Sequence, residues 1–593
     1  MESINSFKGY GKVDELEQEA FRKKTRKRLI ILIISSVILV ALIIGAVAGT
    51  VIHNRNNSSS SSSSGDSAPH TELTPAASLK AVCDATRYPD SCRTSIASHL
   101  SYSNTTTDPE SLFKLSLLVA IDEVSKLATT YRSELRANAK DPREQRAIDV
   151  CGIVLDDAVD SLNESISSLE AAGGGKKTIL SPAEISDLKT WLSATISNQE
   201  TCLDAVEELN STNSKAILRD LRIAMRNSTE FTSNSLAIVT KIIGVLANFN
   251  LPIHRRLLGS GSHIPDWVGL AERRLLQLET NKTTPDVVVA KDGTGQYKTI
   301  SEAVAAVKKK SESRFVIYVK EGVYVENVEL DKNTWNVMMI GDGKSKTIIS
   351  GSRNYIDGTP TFETATFAVK GRGFIAKDIG FKNTAGASKH QAVALRSASD
   401  RSVFYKCSFD GYQDTLYAHS NRQFYRECDI TGTIDFIFGY AASIFQNCYI
   451  KPRQPLPNQF NTITAQGKSE PNLNSGIIIQ NSVISALDDL TAPTYLGRPW
   501  KNYSTTVFMH SDIAGFLSPL GWTEWYPNVE PPSSIFYAEY QNTGAGSSVA
   551  QRVKWAGYKP SLSEDEAGRF TVQSFIQGTE WLPQTDVEFQ STL

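Results

Sequence analysis

Two aspartates follow cysteines at the same interval. Asp414 lies seven residues after Cys407, and Asp435 lies seven residues after Cys428. Cys428 follows Cys407 by 21 residues, and Cys448 follows Cys428 by 20. Such spacing is typical of one coil of a stacked β-solenoid, in which each repeat contacts only its neighbours. Because adjacent strands are about 4.8 Å apart, we predict that the two carboxyl groups stack on one face.

A stacked carboxyl pair has a specific chemical consequence. Two neighbouring carboxylates repel each other, so the pKa of one should rise and that of the other should fall. The pair then titrates as a coupled system, with a proton carrier beside an ionised nucleophile. The alternative is that Asp414 and Asp435 are turn or ladder residues, as aspartates flanked by Gly and Thr usually are in β-solenoids.

Further polar residues fit an ester-cleaving site. The stretch "QAVALR" places Gln391 about one coil before Gln413, and "LGRPW" supplies Arg498 and Trp500 on a later coil. A carboxylate, a carboxylic acid, two amides and a guanidinium are sufficient for ester cleavage through a negatively charged intermediate.

Other catalytic chemistries are less well supported. The chain has no G-x-S-x-G stretch of a serine hydrolase, and we interpret His419 as an ordinary loop or partly buried residue. The cysteines form no C-x-x-C pair and there is no H-E-x-x-H stretch, so we predict no metal site and no cofactor.

Two regions with different periodicity must position these residues. From Pro285 onward, short β-branched and aromatic runs without a long amphipathic helix predict an all-β domain over 281–593. Between 78 and 246, apolar residues at three- and four-residue intervals predict an antiparallel helical bundle. The 593 residues thus divide into at least two domains.

The helical region contains four cysteines. The short interval between Cys83 and Cys92 suits a disulfide within a helical hairpin, which leaves Cys151 to pair with Cys202. The alternative is four unpaired thiols in the core.

The N-terminus has the pattern of a membrane anchor. A basic cluster at 21–28 precedes 24 uncharged residues at 29–52, which as a helix span roughly 36 Å against a hydrocarbon core of about 30 Å. The basic cluster predicts that 1–28 stays cytosolic and that the rest enters the lumen. A buried core helix is the alternative, but the run is apolar on all faces. The serine-rich stretch within 53–77 predicts a flexible linker.

Two further features concern maturation in that compartment. The tetrapeptide "RRLL" occurs twice in the segment 247–280, and we interpret both copies as accessible protease sites rather than ordinary amphipathic turns. Candidate glycosylation sequons are also present. The tetrapeptides are Arg255, Arg256, Leu257, Leu258 and Arg273, Arg274, Leu275, Leu276; the sequons begin at Asn104, Asn163, Asn210, Asn227, Asn281 and Asn502.

Charge excludes one class of partner. The chain has 62 basic and 64 acidic residues, a formal charge of −2. Binding to nucleic acid usually requires an excess of basic residues, so we predict no nucleic-acid partner.

Five motifs resemble those of plant pectin methylesterases, in the family's order: "GVYVENV" at 322–328, "QAVALR", "GYQDTLY", "GTIDFIFG" and "LGRPW". The resemblance extends from about 285 to the C-terminus. It implies a right-handed parallel β-helix that hydrolyses methyl esters of galacturonate units in pectin without a metal. The helical region is similar to the pectin methylesterase inhibitor family, whose members are four-helix bundles with two disulfides in this order.

The resemblance also implies roles for the polar residues. Asp435 would be the nucleophile, and Asp414 would act as general acid and later as base. Gln391 and Gln413 would stabilise the oxyanion, and Arg498 would bind and orient the carboxylate of Asp435.

Substrate contacts are implied as well. Thr361, which opens "TFETATF", matches a substrate-contacting threonine, and Trp500 would form part of a sugar-binding wall. Other aromatic residues near the motifs suit either a core ladder or the substrate groove, and we assign Tyr412 and Phe436 to the groove. Trp522 and Trp525 remain open between the two interpretations.

One of Cys407, Cys428 and Cys448 must stay unpaired within the chain. Neighbouring coils permit a disulfide for either pairing, and the spacing is equally compatible with a ladder of stacked thiols. The resemblance favours Cys428 with Cys448.

The resemblance further implies a biological sequence of events. A Golgi membrane-anchored precursor would be held inactive by its helical domain, cut at an RRLL site by a subtilase-type protease and delivered to the cell wall. Pectin and separate inhibitor proteins would be its partners. The alternatives are a non-catalytic sugar-binding solenoid, a precursor that acts through its bundle on other esterases, and a pectate lyase or polygalacturonase on the same fold.

Overall fold

The computed structural model describes residues 74–100, 108–173, 180–245 and 284–593. Helices form the part before 245, and strands dominate the part after 284. None of the helices in those ranges is both long and apolar enough to cross a bilayer. The predicted span at 29–52, the cytosolic tail and both RRLL tetrapeptides lie outside the described residues.

Five of the eight described helices of the first part begin at a proline, and three of these five have a capping side chain just before it. Thr74, Asp108 and Ser181 each accept a backbone N–H of the first turn, and proline follows each of them at the first helical position. The first helix begins three residues before the predicted boundary at 78. The helices are α1 Pro75–Asp84, α2 Pro89–Leu100, α3 Pro109–Lys126, α4 Arg132–Asn138, α5 Pro142–Gly173, α6 Pro182–Glu207, α7 Thr212–Ala224 and α8 Arg226–Ile238, with π-helical turns at Leu127–Tyr131 and Val239–Ile243.

Two disulfides join these helices. Cys83 at the end of α1 is bonded to Cys92 in α2, and Cys151 in α5 is bonded to Cys202 in α6. Both bonds are those that the sequence predicts. They fix a short hairpin and the two longest helices of the bundle.

The second part is a parallel β-solenoid. Successive strands alternate among three sheets, so that each complete coil contributes one strand to each sheet and all pairings are parallel. Short helices flank the coils: α9 Ile300–Ala305, α10 Glu564–Gly568, α11 Val572–Phe575 and α12 Gly578–Trp581, and 3-10 turns lie at Thr361–Glu363, Ala387–Lys389 and Leu582–Thr585. The sequence pattern did not predict these short helices.

The strands are distributed over the sheets as follows. The first sheet contains β1 Val287–Val289, β2 Phe315–Val319, β5 Val337–Gly341, β8 Ile375–Lys377, β11 Ser402–Tyr405, β14 Arg422–Arg426, β17 Ala442–Gln446, β20 Gly476–Gln480, β23 Thr505–Met509, β25 Phe536–Tyr540 and β26 Tyr558–Lys559. The second contains β4 Val328–Leu330, β7 Phe367–Val369, β10 Leu395–Ser397, β13 Leu416–Ala418, β16 Ile437–Gly439, β19 Asn461–Gln466 and β22 Thr494–Gly497. The third contains β3 Gly322–Val325, β6 Thr347–Gly351, β9 Gly380–Asn383, β12 Ser408–Asp410, β15 Asp429–Gly432, β18 Tyr449–Pro452, β21 Val483–Ile484 and β24 Asp512–Ile513.

The three solenoid cysteines stack in the interior, one on each of three adjacent coils. Each immediately precedes a strand of the third sheet, and those strands pair in register. All three are free thiols, so the predicted disulfide between Cys428 and Cys448 is wrong. In-register side chains point the same way, whereas a disulfide needs two Cβ vectors that face each other. The Cys428 thiol instead donates to the Phe404 carbonyl of the preceding coil at 3.3 Å.

Aromatic rings continue the stacking next to the thiols. The Tyr425 ring lies parallel to Phe404 on one neighbouring coil, at 4.9 Å between centroids, and to Phe445 on the other, at 4.4 Å. These residues belong to a core made only of solenoid side chains, between Val289 and Tyr558. A second core combines bundle helices with one face of the solenoid. The solenoid therefore has its own hydrophobic core and also shares a packed interface with the bundle.

The interior stack gives a stability test. Phe404 is fully buried and contacts four other rings. We expect Phe404→Ala to lower the free energy of unfolding, measured by urea denaturation, by about 3–5 kcal/mol because it leaves a cavity. Val325→Ala, at a side chain that is 77% exposed, should change it by less than about 0.5 kcal/mol. Equal effects of the two substitutions would contradict this account of the core.

Candidate active site

Asp414 and Asp435 occupy equivalent positions on adjacent coils. Leu416 pairs with Ile437, and each aspartate lies two residues before its member of that pair. Both aspartates have left-handed backbone conformations, with φ of 61° and 52°, in the turns that lead into β13 and β16. The N–H of Asp414 donates to the carbonyl of Ile434 at 3.0 Å, which joins the two turns. The predicted stacking of the two positions is confirmed.

Several donors surround the side chain of Asp435. The Arg498 guanidinium donates through Nε at 2.9 Å to one oxygen and through Nη2 at 2.6 Å to the other. The Thr462 hydroxyl donates to Oδ1 at 2.6 Å and accepts the backbone N–H of Asp435 at 2.9 Å. Bidentate pairing with a guanidinium favours the ionised form of a carboxyl group and fixes its orientation. The predicted contact between Arg498 and Asp435 is present.

Asp414 has the opposite electrostatic environment. Burial raises the pKa of this carboxyl well above its usual range, and the negative charge of Asp435 raises it further. Arg498 opposes the rise and Glu208 adds to it. The predicted rise of one pKa in the pair therefore falls on Asp414, whereas Asp435 accepts the charged hydrogen bonds of Arg498.

A cavity of about 590 Å³ contains both aspartates. It brings together most of the residues that the motifs singled out. The glutamines and aspartates among them precede strands of the second sheet on successive coils, whereas Arg498 and Trp500 follow its strand β22. The predicted site residues in its lining are Thr361, Gln391, Gln413, Asp414, Asp435, Arg498 and Trp500.

Two predicted groove residues lie elsewhere. Phe436 is fully buried in the solenoid core, whereas its neighbour Asp435 lines the cavity. Tyr412 lies outside the cavity lining, with the Arg453 guanidinium 4.1 Å from its ring centroid. The assignment of Phe436 to the groove is therefore wrong, whereas that of Tyr412 stays a prediction.

The remaining aromatic residues divide between core and cavity. Trp522 is fully buried in the core, whereas Trp525 lines the cavity with the Arg498 guanidinium 4.3 Å from its ring centroid. His419 is more buried than predicted and contacts the Thr201 hydroxyl of α6 at 2.9 Å. Burial lowers the pKa of its imidazole well below the usual range.

The sequence did not identify Thr462. The coil from Ile437 to its partner Thr464 contains 27 residues rather than the 21 that separate Leu416 from Ile437. A repeat of 20 or 21 therefore points to the wrong position on this coil. The signal that would have found it is a threonine two residues before the strand position that pairs with Ile437.

The helical domain also contributes to the cavity, which the sequence did not predict. Glu200, Asp204 and Glu208 follow one another at four-residue intervals along α6 and its C-terminal cap, and all three line the cavity. The Thr361 N–H donates to the Glu208 carboxylate at 3.2 Å. Burial raises the pKa of Glu208 to about 7.

Opposite charges meet along the rest of the interface between the domains. Acidic side chains come from the bundle and basic side chains from the solenoid, and Asp187 on α6 contacts both Arg401 and Arg422. The other pairs are Asp157 with Lys332 and Lys370, Asp160 with Lys332, Glu164 with Arg372, and Glu200 and Asp204 with Lys501.

The predicted glycosylation sites and the question of a metal site can also be compared with the structure. The sequon residues Asn163, Asn210, Asn227 and Asn502 are exposed, whereas Asn104 and Asn281 lie outside the described residues. In the described ranges, no group of three or more His, Cys, Asp or Glu side chains is arranged to hold a metal ion.

Comparisons with known proteins agree with this architecture. The family model described as Pectinesterase matches residues 286–579, and the model described as Plant invertase/pectin methylesterase inhibitor matches residues 77–238. The chain is 68% identical over 596 residues to Pectinesterase 3 of Phaseolus vulgaris, with both chains covered completely. It is 60% identical over 594 residues to Pectinesterase 1 of Arabidopsis thaliana, with 99% of each chain covered.

One solved structure is similar to half of the chain. A pectin methylesterase from carrot is 52% identical and has a TM-score of 0.52; the alignment covers 53% of this chain and all of the carrot chain. A chain of about the solenoid's length thus forms this structure by itself. The chain described here belongs to the pectinesterase family, whose members are carboxylic ester hydrolases.

The Thr462 contact can be tested directly. We expect Thr462→Val to lower kcat by about 10- to 100-fold, because a hydrogen bond to a charged group contributes about 1.5–3 kcal/mol. Thr464→Val is a matched control, since that hydroxyl donates to the Leu496 carbonyl at 2.9 Å and not to Asp435. An unchanged kcat in Thr462→Val, measured by methanol release, would show that this hydroxyl does not support the reaction.

Proposed function

We propose that the chain hydrolyses the methyl esters of galacturonate units in pectin, releasing methanol. Asp435 is the nucleophile, and Asp414 is first the general acid and then the general base. The observation that carries the proposal is the unequal environment of two carboxyl groups on adjacent coils, one bound by Arg498 and the other desolvated beside it.

The first half of the reaction uses Asp435 as a carboxylate and Asp414 as a carboxylic acid. The Asp435 carboxylate attacks the ester carbonyl, and the carbonyl oxygen acquires negative charge. Amide N–H groups of Gln391 and Gln413, which line the same cavity, donate to that oxygen. The Asp414 carboxylic acid then protonates the departing methoxide, which leaves as methanol and leaves an anhydride with Asp435.

The second half restores the site. Asp414 is now a carboxylate and accepts a proton from water, which attacks the anhydride. Cleavage releases the galacturonate carboxylate and frees Asp435. Arg498 keeps the nucleophile oriented throughout, and Trp500 and Thr361 in the cavity lining contact the sugar.

We further infer that the helical domain is an autoinhibitory pro-region. Its support is the row of carboxylates on α6 that lines the cavity, together with the complementary ion pairs along the interface. The proposal includes an anchor at 29–52, glycosylation and passage through the Golgi. A subtilase-type protease then cuts at 255–258 or 273–276, and the enzyme is delivered to the cell wall. The right-handed coil, the domain limits and regulation by separate inhibitor proteins remain predictions.

The roles of the two aspartates lead to different expectations. We expect Asp435→Asn to abolish methanol release from methylated pectin while circular dichroism shows a retained fold. Asp414→Asn should lower kcat by about 10²- to 10⁴-fold, because an amide cannot transfer the proton. Because burial disfavours the charged form of the Asp414 carboxyl, its replacement by an uncharged amide should leave the melting temperature nearly unchanged. Esterase activity retained by Asp435→Asn would refute the nucleophile assignment.

The pH dependence of inhibition follows from Glu208. Its pKa rises from 4.5 to about 7 in the docked state, where it faces Thr361, Asp204 and Asp414. A raised pKa in the docked state means that docking is fully favourable below the ordinary value and weakens as pH rises through about 7. We therefore expect the ratio of the full chain's activity to that of the segment 284–593 to increase as the pH rises from 4.5 to about 7.

Matched variants test this dependence. Glu208→Gln should flatten the pH dependence of the activity ratio, because the amide is uncharged at every pH. Glu170→Gln is the control, since Glu170 pairs with Lys114 inside the bundle. A ratio that does not change with pH in the unmodified chain would contradict the assignment of Glu208.

A further inference from the structure

Arg396 on β10 is a buried cation with unused hydrogen-bond donors. The residue is 3% exposed, and its Nε and Nη1 have no hydrogen-bond partner among the described residues. One face of the guanidinium lies against Phe362, with the central carbon 3.6 Å from the ring centroid. Burial of a charged group is costly unless a partner accepts its hydrogen bonds. The donors of Arg396 are therefore available to an anion.

The other buried arginines of the described residues have carboxylate partners. Arg422 donates to Asp400 through Nε at 2.9 Å and through Nη2 at 2.5 Å. Arg552 donates to Glu539 through Nε at 2.8 Å and through Nη2 at 3.0 Å. Among the described residues, no carboxylate forms such an ion pair with Arg396. Bidentate pairing is thus the usual solution in this solenoid, and Arg396 departs from it.

Arg396 lines a cavity of about 560 Å³ between the solenoid and α5. Two further arginines line the same cavity, Arg353 from the solenoid and Arg146 from α5. Nη1 of Arg146 donates to the Gly358 carbonyl at 2.8 Å, which places its guanidinium against the solenoid. Guanidinium groups from both domains therefore surround one cavity.

Two carboxyl groups also line this cavity, Glu329 and Glu363. Glu329 already faces a cation outside the cavity lining, since its Oε1 is 3.7 Å from Nζ of Lys370. Burial raises the pKa of Glu363, and the three guanidiniums of the cavity oppose that rise. Three cations thus face two carboxyl groups, one of which has a further cationic partner. The positive excess favours an anion in the cavity.

We propose that Arg396, Arg353 and Arg146 form a binding site for a small oxyanion between the two domains. Guanidinium groups present paired donors that match phosphate and carboxylate oxygens. Because Arg146 belongs to the helical domain, the complete site exists only while that domain is docked. A ligand that binds one state more tightly stabilises that state. The anion therefore strengthens docking, and the site does not depend on the proposed reaction.

Isothermal titration calorimetry of the full chain at pH 7 tests the site with inorganic phosphate and, separately, with citrate. Chloride keeps the ionic strength equal in both titrations, because salt screens charges. We expect one anion per chain to bind, and Arg146→Gln to weaken binding by about tenfold or more, because it removes a charged donor. Arg143→Gln is the matched control, since Arg143 donates to the Ile356 carbonyl at 3.3 Å and lies outside the cavity lining.

A second variant and a shorter chain complete the test. Arg396→Met should also weaken binding by about tenfold or more, because it removes the buried donors. The segment 284–593 lacks Arg146 and should bind at least tenfold more weakly than the full chain. Binding of phosphate alone or of citrate alone supports the site and identifies the class of oxyanion. No binding of either anion, or equal affinity of the full chain and Arg146→Gln, would overturn the proposal.

Thermal unfolding tests the effect on docking without any measurement of activity. At about ten times its Kd, the anion that binds should raise the melting temperature of the full chain by about 2 °C or more. Arg143→Gln should show the same rise, and Arg146→Gln should show none. An equal rise in the full chain and in Arg146→Gln would place the anion elsewhere and overturn the proposal.

Discussion

Two carboxyl groups placed one coil apart are the constraint on which the site depends. Stacking is imposed by the in-register pairing of β13 with β16, so the groups cannot move apart without breaking the sheet. Two buried negative charges at that separation would be strongly destabilising. The structure avoids this cost because Arg498 and Thr462 donate hydrogen bonds to Asp435, whereas Asp414 is desolvated by burial, which disfavours its charged form. The same asymmetry supports the proposed roles of Asp435 as nucleophile and Asp414 as proton donor.

The interface between the domains also pairs carboxylates with cations. Pectin that has lost its methyl groups is a polyanion, and α6 presents carboxylates at four-residue intervals to the cleft that would receive it. Basic residues of the solenoid have acidic partners from the bundle in the docked state. Because buried carboxyl groups such as Glu208 are easier to protonate, the docked state is favoured by acid.

Sequence periodicity predicted the parts of the structure that repeat. A spacing of 21 residues was enough to place Asp414 over Asp435, and cysteine spacing was enough to pair Cys83 with Cys92. Periodicity does not state which way a side chain points within a coil, so Phe436 was assigned to the groove although it packs in the core. The spacing of Cys407, Cys428 and Cys448 allowed a ladder of free thiols, which the structure has, and only the family resemblance favoured a disulfide.

The residues that sequence could not supply come from outside the regular repeat. Thr462 lies on a coil with extra residues, and Glu208 and Lys501 meet in the cavity only because the bundle docks on the solenoid. No spacing rule links positions that are hundreds of residues apart. Such contacts depend on how the two domains pack together. The helical pattern and the strand pattern each predict one domain, and neither predicts the packing between them.

Neutron diffraction from crystals exchanged into heavy water at neutral pH tests the central claim most directly. We expect a deuteron on a carboxyl oxygen of Asp414 and none on Asp435. A deuteron on Asp435, or two carboxyl groups that both lack one, would contradict the division of roles between the two aspartates.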